Sequence, residues 1–276
     1  MMTEPPRAKR VAWAKGCNAD GFCAFAQNGQ RRLGDASLIK TSDFNQRLVL
    51  EKAGVRMDER RVPSIDSSLR HILRMPKECY DCSGIVINGR RIKSLVFTTD
   101  LAIIKNCDAD AVFAVYPFTP QQSISNAIIS AAHVPVFCGI GGGTTRGMRT
   151  LTLAKDVECQ GAMGVVLNAP VTDLNLLAVS RIVDIPVIIT VVNAETDIAA
   201  RLEAGADILN VAGASQTPDI VSKIRAKFPD VPIIASGGNQ PDTIKRTIEA
   251  GANAITYTPP STKELFREMM AKYREM

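Results

Sequence analysis

A closed ring of eight parallel strands, each followed by a helix, is the fold class this sequence predicts, and three observations predict it. The first is an internal repeat. Val134-Pro135-Val136-Phe137-Cys138-Gly139, Ile185-Pro186-Val187-Ile188-Ile189-Thr190 and Val231-Pro232-Ile233-Ile234-Ala235-Ser236 each set a β-branched residue before a proline and a short apolar run. Gly161-Ala162-Met163-Gly164, Gly205-Ala206-Asp207-Ile208 and Gly251-Ala252-Asn253-Ala254 recur between and after them. Self-similarity at a period of some tens of residues marks a repeated supersecondary unit. The second observation is that strand-like and helix-like segments alternate from residue 94 onward, which implies a parallel sheet with right-handed crossovers. The third is size: eight units fill residues 94–276 of a 276-residue chain, and one such barrel takes about 250 residues. An open doubly wound sheet is the rival. The expected architecture is therefore a (β/α)8 TIM barrel with an N-terminal extension and a β-hairpin plug.

The elements follow in order. Residues 1–83 read as a basic extension rather than a separate domain. Residues 1–93 carry 18 Lys+Arg against 10 Asp+Glu, whereas residues 94–276 carry 15 against 18. Within the extension, 38–53 and 67–74 suit short helices and 16–23 a loop. Residues 84–276 form the barrel, opening on a hairpin over 84–93. Asn88-Gly89 between alternating apolar residues is the strongest short hairpin signal, and the natural place for it is the N-terminal mouth. Short runs rich in Val and Ile suit buried parallel strands. They lie at 94–99, 111–116, 134–139, 163–168, 186–191, 207–212, 231–236 and 253–258. Helices follow at 101–107, 121–132, 147–160, 172–183, 195–204, 217–228, 240–250 and 262–274. Pro218 and Pro241 fall at first helical positions, Gly205 and Gly251 just past helix ends, and Pro135, Pro186 and Pro232 at strand starts, where a missing N–H is tolerated.

Composition narrows the setting. No apolar run approaches the roughly 20 residues of a membrane span, and the first residues lack the apolar core of a signal peptide. Seven cysteines without a disulfide-scaffold spacing suit reduced thiols, so a cytoplasmic location is expected. The basic extension would suit RNA or another acidic partner, although few aromatics are interleaved to stack on bases; a solvated extension is the simpler reading. A homo-oligomer is compatible with the pattern.

In a barrel of this kind the chemistry sits at the carboxyl ends of the strands. Those ends are rich in hydroxyls, amides and glycines and poor in titratable groups. Ser236-Gly237-Gly238 after strand seven would let backbone N–H groups approach an anion, aided by the positive end of the next helix. Loops seven and eight are the usual phosphate cradle of this architecture. Gly213, Thr258 and Ser261 would complete it, and Asn168, Asn210 and Tyr116 would orient a ligand. Gly141, Gly142 and Gly143 would form a second nest, with Arg146 or Arg149 as counter-charge, a mobile lid, or a plain turn. Asp100 is the carboxylate at a strand end: a general base or the N-cap of the next helix. Glu195 is the second carboxylate. His71 and His133 lie off the rim, so a Ser-His-Asp site is not expected. Cys79 and Cys82 have metal-ligand spacing that Cys17 and Cys23 would complete, but the second pair is spaced unusually and no metal is expected. Cys138 is either a rim nucleophile or a small buried apolar residue.

On Ile233-Ile234-Ala235-Ser236-Gly237-Gly238 and Glu249-Ala250-Gly251-Ala252-Asn253-Ala254-Ile255-Thr256, the chain resembles the phosphate-binding (β/α)8 superfamily. The likeness is sharp over about 185–265. Over 85–140 the chain also resembles an uncharacterised bacterial barrel family labelled only "hydrolase". The superfamily often places Gly-Ser or Gly-Thr after strand eight; here Tyr257-Thr258-Pro259-Pro260-Ser261 takes that place, and two prolines remove two N–H donors. What the resemblance implies is an enzyme acting on a phosphorylated small molecule, as a lyase, isomerase or hydrolase, with Asp100 and Glu195 handling protons. The alternatives are a non-catalytic sensor of a phosphorylated metabolite, similar to glycerol-3-phosphate-responsive antiterminators, and an oxidoreductase whose FMN phosphate would use the same cradle.

Overall fold

A computed structural model describes residues 73–275. The helices expected at 38–53 and in most of 67–74, the loop at 16–23, and Cys17, Cys23 and His71 lie outside the described residues. Strands β1 (Ile85–Ile87) and β2 (Arg90–Ile92) form an antiparallel hairpin. Eight parallel strands follow: β3 (Ser94–Phe97), β4 (Ala111–Ala114), β5 (Val136–Gly141), β6 (Gly164–Leu167), β7 (Val187–Val191), β8 (Ile208–Val211), β9 (Ile233–Ser236) and β10 (Ala254–Tyr257). β10 pairs back onto β3, which closes the ring. The sequence-predicted (β/α)8 barrel is the fold observed, and the open-sheet rival is not.

Eight α-helices alternate with the barrel strands. They are α1 (Leu101–Lys105), α2 (Gln122–Ala131), α3 (Met148–Cys159), α4 (Asp173–Ile182), α5 (Ile198–Glu203), α6 (Thr217–Lys227), α7 (Pro241–Glu249) and α8 (Thr262–Glu275). Their starts follow from local chemistry. Asp100, Thr172 and Asp197 cap α1, α4 and α5 by accepting from first-turn amides, which offsets donors that have no intrahelical partner. Pro218 and Pro241 stand in the first turns of α6 and α7. Helix α5 begins three residues later than its expected start at 195, because Asp197 rather than Glu195 supplies the cap.

The barrel has two cores. Ile103, Leu153, Leu176, Ile220 and Ile244 lie between helices and strands. Leu95, Phe113, Phe137, Val166, Ile188, Ile208, Ile234 and Ala254 fill the lumen. Ile85, Ile87 and Ile92 of the hairpin join that lumen cluster, so the hairpin stops the N-terminal mouth. Its turn is made by Asn88 and Gly89, both with positive φ (49° and 78°), as a type I′ turn requires. Residues 73–83, placed in the extension by sequence, also pack on the barrel. Leu73 bridges Cys107, and Met75, Cys79 and Cys82 are buried in the outer core. Among the described residues no helix is long and apolar enough to cross a membrane.

Side chains alternate along each strand, so the lumen positions can be followed upward. Above Ala254 comes Thr256, above Ile208 Asn210, above Ile188 Thr190, above Val166 Asn168, and above Ile234 Ser236. Alternate strands contribute to a given layer of such a barrel. The registers round the ring put Phe113, Val166, Asn210 and Thr256 in one layer. Phe97, Gly139, Thr190 and Ser236 form the next one outward. The lumen is thus apolar below and half polar at its carboxyl end.

Candidate functional site

The carboxyl rim carries a cavity of about 200 Å³ between the loops that follow β4, β5 and β6. Tyr116, Phe118 and Thr119 line one side, Gly139 and Gly141 to Thr145 another, and Asn168 a third. The Tyr116 hydroxyl accepts from the Gln121 amide at 2.8 Å, folding its loop back on itself. Thr145 Oγ1 donates to Thr119 Oγ1 at 3.3 Å and ties the two walls together.

The glycine-rich wall is stitched down. Gly142 and Thr145 exchange backbone hydrogen bonds of 3.1 and 3.3 Å, the Gly143 amide donates to the Pro170 carbonyl at 2.8 Å, and the Asn168 amide donates to Gly141 at 2.9 Å. Gly142 has a φ of 125°, and a Cβ there would lie 2.1 Å from the Asn168 carbonyl oxygen. Only glycine permits that approach. The amides of Gly142 and Gly143 already face carbonyls, so these residues give the cavity its shape rather than donors for a second anion. Arg146 turns its guanidinium onto the Gly143 carbonyl.

Across the mouth, Ser236 ends β9 and Gly237-Gly238-Asn239 lead into α7. Gly237 packs so closely that a Cβ would lie 2.9 Å from Ile255 Cγ2, and Gly238 adopts a φ of 73°. The amides of Gly238 and Asn239 meet no hydrogen-bond acceptor among the described residues, whereas the Gly237 amide faces β10, where Ser236 pairs with Thr256. Gln240, the N-cap residue of α7, makes no side-chain cap bond. Unpaired donors at a helix N-terminus form an anion-seeking arrangement. The neighbouring positions differ. The Gly213 amide donates to Thr217 Oγ1 at 3.1 Å. Both the Ser261 amide and its hydroxyl donate to Glu264, at 2.8 and 2.7 Å, and these bonds hold the Glu264 carboxyl below its usual range. Ser261 therefore caps α8 beside a carboxylate, a poor seat for an anion. Thr258 is exposed at the rim.

Asp100 serves as a cap. Its Oδ1 accepts from the Ala102 and Ile103 amides at 2.8 and 3.3 Å, and its Oδ2 accepts from the Thr262 hydroxyl at the start of α8. The Thr262 bond, with the two amides, holds its carboxyl below the ordinary aspartate range. Glu195 lies exposed in the turn before α5. Cys138 faces the outer core, 1% exposed, and burial pushes its thiol up to about 12. It packs as an apolar residue and does not line the cavity. Cys79 and Cys82 are buried too, and desolvation raises both thiols to about 12.

A chain of hydrogen bonds joins the cavity to the lumen. Thr190 Oγ1 donates to Asn168 Oδ1 and accepts from Asn210 Nδ2, both at 3.2 Å. Asn210 and Thr256 are each 5% exposed, and Asn210 Oδ1 and Thr256 Oγ1 have no partner. The fold thus brings Gly141, Gly142, Gly143 and Asn168 into one cavity, links Asn210 to it, sets Ser236, Gly237 and Gly238 on the opposite arc, and leaves Glu195 apart. Sequence reasoning overlooked Thr256, taking Thr258 and Ser261 instead. Counting by twos from Ala254 would have found it.

No protein-family model and no curated protein matches this chain. Solved structures do match. A phosphonopyruvate hydrolase is 16% identical, with a TM-score of 0.53 over 68% of this chain and 82% of that one. A phosphoenolpyruvate phosphomutase from Streptomyces platensis subsp. rosaceus is 13% identical, with a TM-score of 0.51 over 71% and 83%. A 2,3-dimethylmalate lyase of the PEP mutase/isocitrate lyase superfamily is 12% identical, with a TM-score of 0.51 over 72% and 84%. At these identities the likeness is one of fold: the chain is a (β/α)8 barrel. Phosphonopyruvate hydrolase has also been crystallised with oxalate and Mg2+. Such an ion takes oxygen ligands, with carboxylates prominent among them. Among the described residues no three His, Cys, Asp or Glu side chains converge, and both oxygens of Asp100 are engaged.

Proposed function

We propose that this barrel is an enzyme that binds a phosphorylated small molecule at its carboxyl rim and acts on it as a lyase, isomerase or hydrolase. The observation that carries the reading is the pair of unpaired amides at Gly238 and Asn239, at the N-terminus of α7. Two N–H groups and a helix dipole favour a phosphate there over a neutral group. Ser236 and Thr258 stand beside them as hydroxyl donors. The names of the structural neighbours, a hydrolase of phosphonopyruvate and a mutase of phosphoenolpyruvate, agree with phosphorus chemistry on this scaffold.

In this reading the cradle fixes the phosphate and the Asn168–Thr190–Asn210 chain orients the carbon skeleton. Preorganised dipoles of this kind act without reorganising during the reaction. Asp100 stands ionised at neutral pH and would serve the site as a fixed carboxylate. Native mass spectrometry of the purified protein, followed by identification of any released ligand, tests the reading directly. Gly238→Asp and Gly238→Asn separate charge from backbone strain, since both side chains must enter the positive-φ region and asparagine tolerates it. The aspartate variant is expected to lose phosphate binding by tenfold or more in calorimetry while the asparagine variant retains most of it. Equal losses would argue against a cradle.

A further inference from the structure

We propose that the lumen beneath the rim receives the uncharged, hydroxyl-bearing end of the ligand, with Asn210 and Thr256 as its direct contacts. This deepens the phosphate reading and rests on it. Asn210 and Thr256 occupy the same lumen layer, directly below the layer of Phe97, Gly139, Thr190 and Ser236. Both are buried to 95%, and each keeps one polar atom without a partner. A buried polar atom left unpaired is costly, so two of them in one layer point to a group that completes them. The layer above them carries little bulk on three of its four positions: Gly139 has no side chain, and Thr190 and Ser236 are small and half-buried.

The chemistry of that group follows from the walls. Inward positions at the strand ends are Phe97, Val115, Gly139, Asn168, Thr190, Asn210, Ser236 and Thr256. None is a lysine, arginine, aspartate or glutamate. A carboxylate placed there would be desolvated without a counter-charge, and an ammonium equally so. Hydroxyl groups fit. A hydroxyl donates to Asn210 Oδ1 and exchanges a bond with Thr256 in either sense. Phe97 and Phe113, with ring centroids 6.2 Å apart, would cover the C–H face of such a chain. The depth is right for a short skeleton: Thr256 lies two residues below the rim, about 6.6 Å of strand. The ligand class is therefore a phosphate ester of a short polyol or sugar, not a phosphorylated acid like those named for the structural neighbours.

Isothermal titration calorimetry with three probes decides the matter: inorganic phosphate, erythritol 4-phosphate and 4-phosphoerythronate, which differs from the second by a terminal carboxylate. The polyol phosphate should bind at least tenfold more tightly than inorganic phosphate and than the acid. Thr256→Val should remove about tenfold of that advantage, the change that one hydrogen bond to a buried neutral group brings, while inorganic phosphate binds the variant as before. Thr256→Ser, which keeps the hydroxyl, should restore it, and matching melting curves confirm that the variants are folded. If the polyol adds nothing to phosphate, if the acid binds as well, or if Thr256→Val behaves as wild type, the lumen assignment is overturned and the cradle stands. If inorganic phosphate itself does not bind, the cradle falls and takes this assignment with it.

Discussion

At the scale of single residues, Asp100 shows how one position can satisfy two readings of a sequence. An aspartate between a strand and a helix reads as base or as cap, and spacing cannot separate them. The structure supplies the cap: two amides on one oxygen and the Thr262 hydroxyl on the other. Asp100→Ala should therefore destabilise the fold by about 1 kcal/mol, the usual cost of a lost N-cap, in urea unfolding. Asp100→Asn keeps the cap geometry and removes the charge, which yields a pH signature. The folded carboxyl titrates below the roughly 3.9 of an unperturbed aspartate. The charge then contributes its full stability above about pH 4 and loses it as the pH falls through the lower folded value. The difference between wild type and Asp100→Asn should be flat from pH 5 to 8 and shrink below pH 4; a difference that widens on acidification would contradict the assignment. Thr256 is the opposite case. Its identity was plain in the sequence, but which of Thr256, Tyr257 and Thr258 faces the lumen depends on a parity that slips with a one-residue error in the strand's end.

At the scale of elements, local chemistry made most boundaries readable. Prolines before strands, Asn-Gly in a hairpin, and aspartate or threonine ahead of helices act over a few residues, so they survive without tertiary context. The glycine-rich segment after β5 was not readable in the same way. Gly141-Gly142-Gly143 alone is compatible with a nest, a lid or a turn. What selects among them is a partner far along the chain, the 168–170 segment, whose carbonyls take the Gly143 amide and crowd Gly142. Such non-local contacts leave no spacing to read. They also make an expectation of their own. Gly142→Ala places a methyl group against the Asn168 carbonyl at a φ of 125°, so the loop must shift. Destabilisation of about 1–3 kcal/mol is expected from backbone strain, together with weakened ligand binding, because Asn168 would be displaced. Gly161→Ala is the comparison. Its φ is 93°, but a Cβ there meets nothing within 4 Å, so it carries the strain without the collision. Chemical denaturation of both variants separates the two costs; equal losses would mean that the stitch to Asn168 contributes nothing.

At the scale of the whole molecule, closure of the ring does two jobs. It removes sheet edges, which are otherwise open to pairing, and it creates a lumen with two mouths of opposite character. The carboxyl mouth is left half polar and open. The amino mouth is stopped by a hairpin that pushes Ile85, Ile87 and Ile92 into the same apolar cluster as Phe113 and Phe137. The hairpin was legible because its turn is local, and its place at the amino mouth because it runs directly into the first barrel strand. The packing of residues 73–83 was not, since Met75, Cys79 and Cys82 reach the outer core as isolated apolar residues without periodicity. If the plug is part of the core and not an ornament, truncating it must destabilise the barrel. Ile92 is 1% exposed, whereas Val86 on the other face of the same hairpin is 66% exposed. Ile92→Ala should cost about 2–5 kcal/mol, the range for a large buried aliphatic cut to alanine, and Val86→Ala about 0.5 kcal/mol or less. Urea unfolding followed by circular dichroism reads both. A single transition shifted in Ile92→Ala would show plug and ring unfolding as one unit, as small domains commonly do. An unshifted barrel transition would instead mean that the hairpin detaches by itself and that the lumen closes without it.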